Sequence, residues 1–261
     1  MKAKLLAGST PKVPLDELKQ VIQEAGLTVG DKDADFGVVV GGDGRFSWYG
    51  RTERIPLLFV GVRSNGATGS KAYLAQTTYR ELPVSLRRIV RGDYKIKERP
   101  RLAIRLNKRR LGEVFTDVYM QRGSESACIR YHVKTNGAGE NVDESAIGDG
   151  VVISTKAGST GYYSYLDRIK GEWMDPDGAA TMAEDRMGIC HINPTFTERR
   201  GETRHPLRYT VPLGSTVELS LFRKADARLY GTTPDRAGVR VRIEDKVTIT
   251  QAKQSTKLIS F

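Results

Sequence analysis

Asp35-Phe36-Gly37-Val38-Val39-Val40, running without a break into Gly41-Gly42-Asp43-Gly44, decides the fold class. The first six residues have the continuous apolar character of a strand covered on both faces, as in a parallel sheet. The glycines that follow remove side chains from a turn at the strand's carboxyl end, which is where open α/β sheets bind ligands. Upstream, Leu5-Leu6-Ala7 reads as a short strand ended by Gly8-Ser9-Thr10-Pro11. A helix follows over residues 14–25: Leu15, Leu18, Val21 and Ile22 share a face, Asp16 and Glu17 sit in the first turn, and Gly26 stops it. Downstream, a third strand over residues 55–61 leads into the turn Asn65-Gly66-Ala67-Thr68-Gly69-Ser70. Strand, helix, strand, turn and strand in this order predict an α/β domain over residues 1–94.

The pattern changes after residue 94. Residues 102–106, 114–120 and 127–131 alternate as half-buried strands do, and further β-like runs lie at 151–154, 207–211, 216–221 and 239–249. Only residues 159–169 read as helical in this half. A β-rich second domain is therefore expected over residues 95–251, with residues 252–261 as candidates for returning to the first.

Composition narrows the function classes. The chain has 261 residues, 39% of them hydrophobic, enough for a real core. Two cysteines, Cys128 and Cys190, cannot build a disulfide framework, and both are expected reduced and buried in a cytoplasmic protein. The apolar runs are too short to span a bilayer, so no membrane partner is expected. Forty-two basic against thirty-one acidic residues give a formal charge of +11, which favours anionic partners. The basic residues concentrate over 80–110 without a helix-turn-helix, zinc or RNA-binding motif, so a solvated face is expected there and no specific nucleic acid. His132, His191 and His205 are too scattered for a metal triad, and no metal-ligating residues are assigned.

Two segments carry chemistry. In Gly41-Gly42-Asp43-Gly44, backbone N–H groups freed of side chains can cradle phosphate oxygens. A carboxylate among them is poorly placed to hold an anion but well placed to act on a hydroxyl or to hold Mg²⁺. A glycine-rich turn with an exposed aspartate is the bland alternative. The second segment is Gly148-Asp149-Gly150-Val151-Val152-Ile153-Ser154-Thr155, leading into Lys156-Ala157-Gly158-Ser159-Thr160-Gly161-Tyr162. It reads as a strand delivering small hydroxyl residues to the start of a helix, with Tyr162 offering a ring for stacking. By itself it is equally a capped helix. Trp48 and Tyr49 are expected to pack against the sheet, and Asn193-Pro194 reads as a turn.

Taken together, these segments resemble the NAD kinase family, whose members typically show GGDGT and, about 100 residues on, GDGLIVATPTGSTAY. The order continues through His191-Ile192-Asn193-Pro194, Arg204-His205-Pro206-Leu207 and residues 211–219, so the resemblance covers residues 35–249. It implies a Rossmann-like N-terminal α/β domain followed by a β-rich domain, with the active site in the cleft between them. It also implies a homodimer or homotetramer that phosphorylates the 2′-hydroxyl of NAD from ATP or polyphosphate with Mg²⁺. Asp43 matches the general base, and Gly41, Gly42 and Gly44, with Arg45 beside them, match the phosphate-binding positions. Thr116, Asp117, Ser159, Thr160 and Tyr162 match positions that line the NAD site, and Asp149 matches an aspartate reaching the nicotinamide end.

The sequence departs from the family pattern at several of these positions. Arg45 stands in place of threonine and Phe46 in place of an aliphatic residue. Thr116-Asp117 replaces an Asn-Glu pair that clamps the adenosine end. Lys156-Ala157 replaces Pro-Thr, adding a charge and removing a hydroxyl. Lys71 ends a loop that lacks the family's aromatic, which Tyr73 could supply, and Asp235-Arg236 departs from the C-terminal Asp-Gly/Ser-Gln. Alternatives on the same fold are a lipid or other small-molecule kinase and a non-catalytic NAD(P)-binding sensor with an altered pocket.

Overall fold

A computed structural model describes residues 1–8, 13–62, 71–137, 141–169, 182–200, 202, 206–232 and 237–261. The chain divides into two compact units, Met1–Arg99 with Ser255–Phe261, and Pro100–Gln254.

The first unit is a parallel sheet with helices. Its elements are β1 (Lys2–Leu6), α1 (Leu15–Glu24), β2 (Thr28–Val29), β3 (Phe36–Gly41), α2 (Asp43–Thr52), β4 (Leu57–Gly61), β5 (Thr77–Thr78) and α3 (Leu82–Val90). The order β2-β1-β3-β4 places β3 in the middle, so residues 36–40 are all buried, as their apolar run requires. The chain's last strand, Val247–Ser260, joins β4 in parallel through Leu258↔Leu57. α1 buries Leu18 and Ile22, one turn apart, while Leu15 stays 41% exposed. α3 starts with Pro83 in its first turn and buries Leu82, Leu86 and Ile89 on one face.

The second unit is antiparallel throughout. It comprises most of β6 (Lys95–Leu106), then β7 (Arg109–Val114), β8 (Asp117–Arg122), β9 (Ile129–Asn136), β10 (Asp143–Gly148), β11 (Gly150–Ser154), the short helix α4 (Tyr165–Ile169), β12 (Arg186–Ile192), β13 (Phe196–Arg199), β14 (Arg208–Pro212), β15 (Thr216–Leu221), β16 (Ala227–Tyr230), β17 (Val239–Val241) and the start of β18 (Val247–Ser260). One sheet runs β14-β12-β11-β8-β16-β17, and the other includes β13-β10-β9-β15-β18. Alternate residues of both contribute to one core, among them Val118, Met120, Val151, Ile153, Tyr131, Val133, Val217 and Leu219. The two sheets thus bury the inward half of each alternating strand, which is the physical content of the period-two pattern.

Several expectations are corrected. The glycine-rich stretch is only partly a turn, because Asp43 opens the ten-residue helix α2. With two glycines and only Phe46 and Gly50 buried, α2 has almost no apolar periodicity for sequence reading to detect. It is anchored instead by Phe46, stacked on Phe59 of β4 with ring centroids 4.6 Å apart. Residues 114–120 are not one strand: β7 and β8 belong to different sheets, and Phe115-Thr116 cross between them. Residues 159–169 are not one helix either. Two 3₁₀ turns, Lys156–Gly158 and Tyr162–Ser164, precede the five residues of α4, because glycines at 158 and 161 interrupt the run. Residues 239–249 split into β17 and β18. Cys128 is exposed, and only Cys190 is buried. No helix among the described residues is long and apolar enough to cross a membrane.

Gly150 carries the tightest backbone contact of the second unit. Its φ is +148°, and a Cβ there would lie 2.0 Å from the Met120 carbonyl oxygen. Gly150→Ala is therefore expected to lower unfolding stability by about 3 kcal/mol or more, the combined effect of a forbidden conformation and an overpacked core. Urea unfolding of the two proteins measures it.

Candidate functional site

In the first unit the candidate residues surround the junction of β3 and α2. Gly41 ends β3 with φ +155°, and Gly42 caps α2 in an extended conformation. The N–H groups of Arg45 and Phe46 both donate to the Gly42 carbonyl, at 2.9 and 3.1 Å, which closes the first turn. Asp43 is the first helical residue, where the helix dipole favours a negative charge. Its Oδ1 accepts the Leu74 N–H at 2.9 Å, which fixes the carboxylate's orientation. Among the described residues, a Cβ on Gly44 would meet nothing within 4 Å.

Arg45 is held, not loose. Its Nη1 donates to the Val40 carbonyl at 2.9 Å, and its guanidinium fills the room left by two glycines. A Cβ on Gly8 would fall 2.0 Å from Nη2, and one on Gly41 3.1 Å from Cδ. Trp48 is 38% exposed with Arg51 over its ring at 4.5 Å, so the expected packing of this ring on the sheet is not seen. Tyr49 donates to the Ala7 carbonyl at 3.2 Å.

In the second unit the crossing at residues 115–117 is bound to the end of β11. The Thr155 N–H donates to the Thr116 carbonyl at 2.8 Å, and its hydroxyl donates to the Phe115 carbonyl at 2.7 Å. A Cβ on Gly158 would lie 2.5 Å from the Thr116 carbonyl oxygen, so the 3₁₀ turn lies directly on this crossing. Gly161 comes close to Asp117, since a Cβ there would sit 3.6 Å from Oδ2. Thr116, Asp117, Ser159 and Thr160 are thereby brought together.

Their side chains differ in availability. Ser159 is 2% exposed and its hydroxyl donates to the Lys156 carbonyl at 2.8 Å, so that oxygen serves the turn itself. Asp117 is different: burial pushes its carboxyl up to about 6, and a hydrogen bond from the Thr116 hydroxyl offsets this only in part. Lys156 lies 3.4 Å from Glu184, so the charge that the sequence seemed to add is met by a neighbouring carboxylate.

Tyr162 belongs to an aromatic cluster that the sequence did not disclose. Its ring meets Tyr119 edge-on at 5.3 Å, Tyr119 stacks on Tyr230 at 5.2 Å, and Tyr165 lies 6.1 Å from Tyr162. Tyr119 and Tyr230 face each other across paired strands β8 and β16, 111 positions apart in the chain, which no local pattern reveals. Asp149 is held by Arg122 Nε at 2.6 Å and by Asn193 Nδ2 at 3.0 Å. Asn193, at φ +41°, is indeed in a turn, but its side chain also orients this carboxylate. Among the described residues no three of His, Cys, Asp and Glu converge as metal ligands. The residues expected at 66–70, His205 and Asp235-Arg236 lie outside the described residues.

The comparisons with known proteins agree with one another. Over 235 residues, 87% of the chain, it is 28% identical to the NAD kinase of Citrifermentans bemidjiense and 29% identical to that of a Geobacter species, spanning 73% of each. The fold matches a yeast NADH kinase complexed with NADH at TM-score 0.73 and 13% identity, over the whole chain and 83% of that structure. It also matches an NAD kinase from Archaeoglobus fulgidus in complex with ATP at TM-score 0.70 and 16% identity, over 99% and 93% of the two chains. The chain is similar to curated NAD kinases over most of its length, at a low identity that marks it as divergent from them. No family model matches it, in keeping with that divergence. Within the family pattern, Asp43 and Asp149 retain their carboxylates, while Asp117 keeps a carboxylate one methylene shorter.

The half-buried Asp117 makes a test of its environment available. Its folded carboxyl binds a proton more tightly than an ordinary aspartate with its value near 3.8, so stability is greatest below that value, falls as pH rises toward 6 and levels off above it. Asp117→Asn removes the ionisation. It is expected to stabilise the protein by on the order of 1–3 kcal/mol at about pH 8, with the gain vanishing toward pH 4, as thermal melts across pH would show.

Proposed function

We propose that the chain is an NAD kinase that transfers the γ-phosphoryl group of ATP to the 2′-hydroxyl of NAD, giving NADP and ADP. The observation that carries this reading is Asp43 at the first turn of α2, directly after the central buried strand, in a chain whose curated relatives are NAD kinases over most of its length. The Asp43 carboxylate takes the proton of the ribose 2′-hydroxyl as that oxygen forms its bond to the γ-phosphorus. The bond from the γ-phosphorus to the bridging oxygen of ADP breaks, and the electron pair leaves with ADP. The positive end of the α2 dipole suits the donor's phosphates, and the space over Gly44 admits them.

The second unit supplies the dinucleotide site in this reading. Thr116 and Asp117 take polar groups at the adenosine end, Thr160 and Tyr162 line the site, and Asp149 serves the nicotinamide end. Ser159 supports the turn. Mg²⁺ fits a site of this composition when carried by the donor's phosphates, because it is commonly held by one or two carboxylates, phosphate oxygens and water, and Asp43 is the carboxylate among the phosphate-binding residues. Bound there, it would neutralise charge on the transferring phosphoryl group. Polyphosphate offers the same terminal phosphoryl chemistry and is proposed as a second donor.

NADP formation from NAD and Mg-ATP, with polyphosphate in parallel, tests the reading. Asp43→Asn keeps the acceptor for the Leu74 N–H but loses the base, so turnover should fall by about 10³-fold or more, or roughly 4 kcal/mol of barrier, with NAD binding retained. Turnover that survives this change would exclude Asp43 as the base, and NAD binding without NADP formation by the unaltered protein would point to a sensor. Gly44→Ala separates fold from function differently. In a helix with open space above it, alanine should hold stability level or raise it by about 0.5–1 kcal/mol. Phosphoryl transfer should nonetheless drop, because the methyl group occupies the space proposed for the phosphates.

A further inference from the structure

A polar cluster at the centre of the second unit has no part in the reaction as described so far. His191 of β12 and Glu144 of β10 are both 0% exposed, and Tyr131 of β9 is equally buried. The Tyr131 hydroxyl lies 2.5 Å from the Gly150 carbonyl oxygen and 2.8 Å from His191 Nδ1. The Tyr209 hydroxyl donates to Glu144 Oε2 at 2.6 Å, and His191 Nε2 faces the same oxygen at 3.1 Å. Arg199 reaches in from β13, with Nη2 at 3.8 Å from that oxygen and its guanidinium 4.3 Å above the Tyr209 ring. Glu202 meets Arg199 Nη1 at 3.4 Å on the outer side.

Proton counting settles the roles. Tyr131 has one hydroxyl proton. A carbonyl oxygen only accepts, so at 2.5 Å that proton must lie between Tyr131 and Gly150, since two oxygens without a proton between them would repel. His191 Nδ1 can then meet Tyr131 only as a donor. Burial alone would push the Glu144 carboxyl up, but His191, Tyr209 and Arg199 outweigh burial and hold it below the usual range, so it is ionised. A bare lone pair on Nε2 would face that negative charge. Nε2 makes no directed hydrogen bond, and the contact is one of charge, which calls for a proton on this nitrogen also.

The same residues reach Asp149 from two sides. Tyr131 holds the carbonyl of Gly150, the residue after it. The His191 carbonyl accepts the Tyr165 hydroxyl, which in turn accepts the Asn193 N–H at 3.1 Å, and Asn193 Nδ2 donates to Asp149 Oδ2 at 3.0 Å. The Asp149 N–H itself donates to the Ile192 carbonyl at 2.9 Å. The imidazole ring bears on this segment through Tyr131 and the Gly150 carbonyl, whereas the route through Asn193 starts at the His191 backbone carbonyl and does not depend on the ring.

We propose that His191 is a buried imidazolium, paired with Glu144, and acts through Tyr131 and the Gly150 carbonyl as a positioning residue that sets where Asp149 meets the nicotinamide end of the dinucleotide. The assignment rests on the phosphoryl-transfer reading for what Asp149 touches, but not for the protonation of the ring. A network of this kind is retained in a core at the cost of apolar packing, and here its cations and carboxylates balance: His191 and Arg199 against Glu144 and Glu202.

Two measurements test it. In unaltered protein labelled with ¹⁵N-histidine, the ring of His191 should show two protonated nitrogens at neutral pH, with ring protons slow to exchange. The chain has three histidines, and His191 is identified by its full burial and by loss of its signals in His191→Asn. A single protonated ring nitrogen overturns the assignment, and this readout needs no turnover. In Tyr131→Phe, which removes the link to Gly150, KM for NAD should rise about 10-fold while kcat and KM for ATP change by less than about 3-fold. A uniform loss in all three constants, or no change in KM for NAD, overturns the positioning role. If the unaltered protein forms no NADP, the phosphoryl-transfer reading fails by itself. Titration with NAD then replaces the rates, and a Tyr131→Phe protein that binds NAD as tightly as the native one overturns the positioning role.

Discussion

The approach of Gly150 to the Met120 carbonyl is the constraint on which the second unit's site depends. β11 runs beside β8 on one edge and β12 on the other, so displacing Gly150 displaces both partners at once. Everything proposed to touch the dinucleotide hangs from these three strands or from the segments leaving them. Asp117 begins β8, Asp149 precedes β11, the Ser159–Tyr162 turns follow β11, and Asn193 follows β12. A side chain at residue 150 would have to push β8 away, opening the crossing at 115–117 that the Thr155 amide and hydroxyl hold. The precision of the site is thus backbone precision, set where a strand can approach only because it lacks a Cβ.

On that scaffold the carboxylates are prepared in different ways. Asp43 stands at a helix N-terminus with an amide donor fixing one oxygen, an environment that favours a charged, oriented acceptor. Asp117 is half-buried beside the Thr116 hydroxyl donor, an environment that resists its charge. Asp149 has an arginine and an amide fixing its two oxygens. One group is oriented by an amide donor, another is held where burial opposes its charge, and the third is oriented with its charge already matched. Differences of environment among chemically similar groups are how one site assigns separate roles. The strain at Asp117 also means that part of the free energy of ligand binding would come from relieving a cost already present in the empty protein.

How much of this could be read from sequence depended on the range of the interactions. The parallel sheet was legible because β3 is a run of buried residues with a glycine-rich end, and its covering helix α1 has regular apolar spacing. The paired motifs at 41–44 and 148–162 were legible because phosphate and dinucleotide chemistry calls for particular residue types at close spacing. α2 escaped because its apolar packing centres on a stacked pair of rings, Phe46 on Phe59, thirteen positions apart, and not on a repeating stripe. The break at Phe115-Thr116 escaped because alternation continues straight through a crossing from one sheet to the other. Tyr119 with Tyr230, Asp149 with Asn193, and Glu144 with His191 are pairings of distant segments, fixed by strand register alone.

The departures from the family pattern are absorbed locally, which explains how the chain can diverge so far and keep the fold. Arginine at 45 would clash with ordinary side chains at 8 and 41, but both positions are glycine, and its guanidinium is occupied by the Val40 carbonyl. Phenylalanine at 46 would overfill the space of an aliphatic residue unless an aromatic faced it, and Phe59 does. Lysine at 156 would place an uncompensated charge beside the turn, but Glu184 stands 3.4 Å away. In each case a neighbour accommodates the substituted residue, as close packing and charge balance demand. At Thr116-Asp117 the balance is incomplete: burial raises the carboxyl, and the Thr116 hydroxyl offsets this only in part. A change balanced from within preserves structure, whereas one that a ligand helps to balance changes what is bound. By that reasoning the proposed function places its specificity at Asp117.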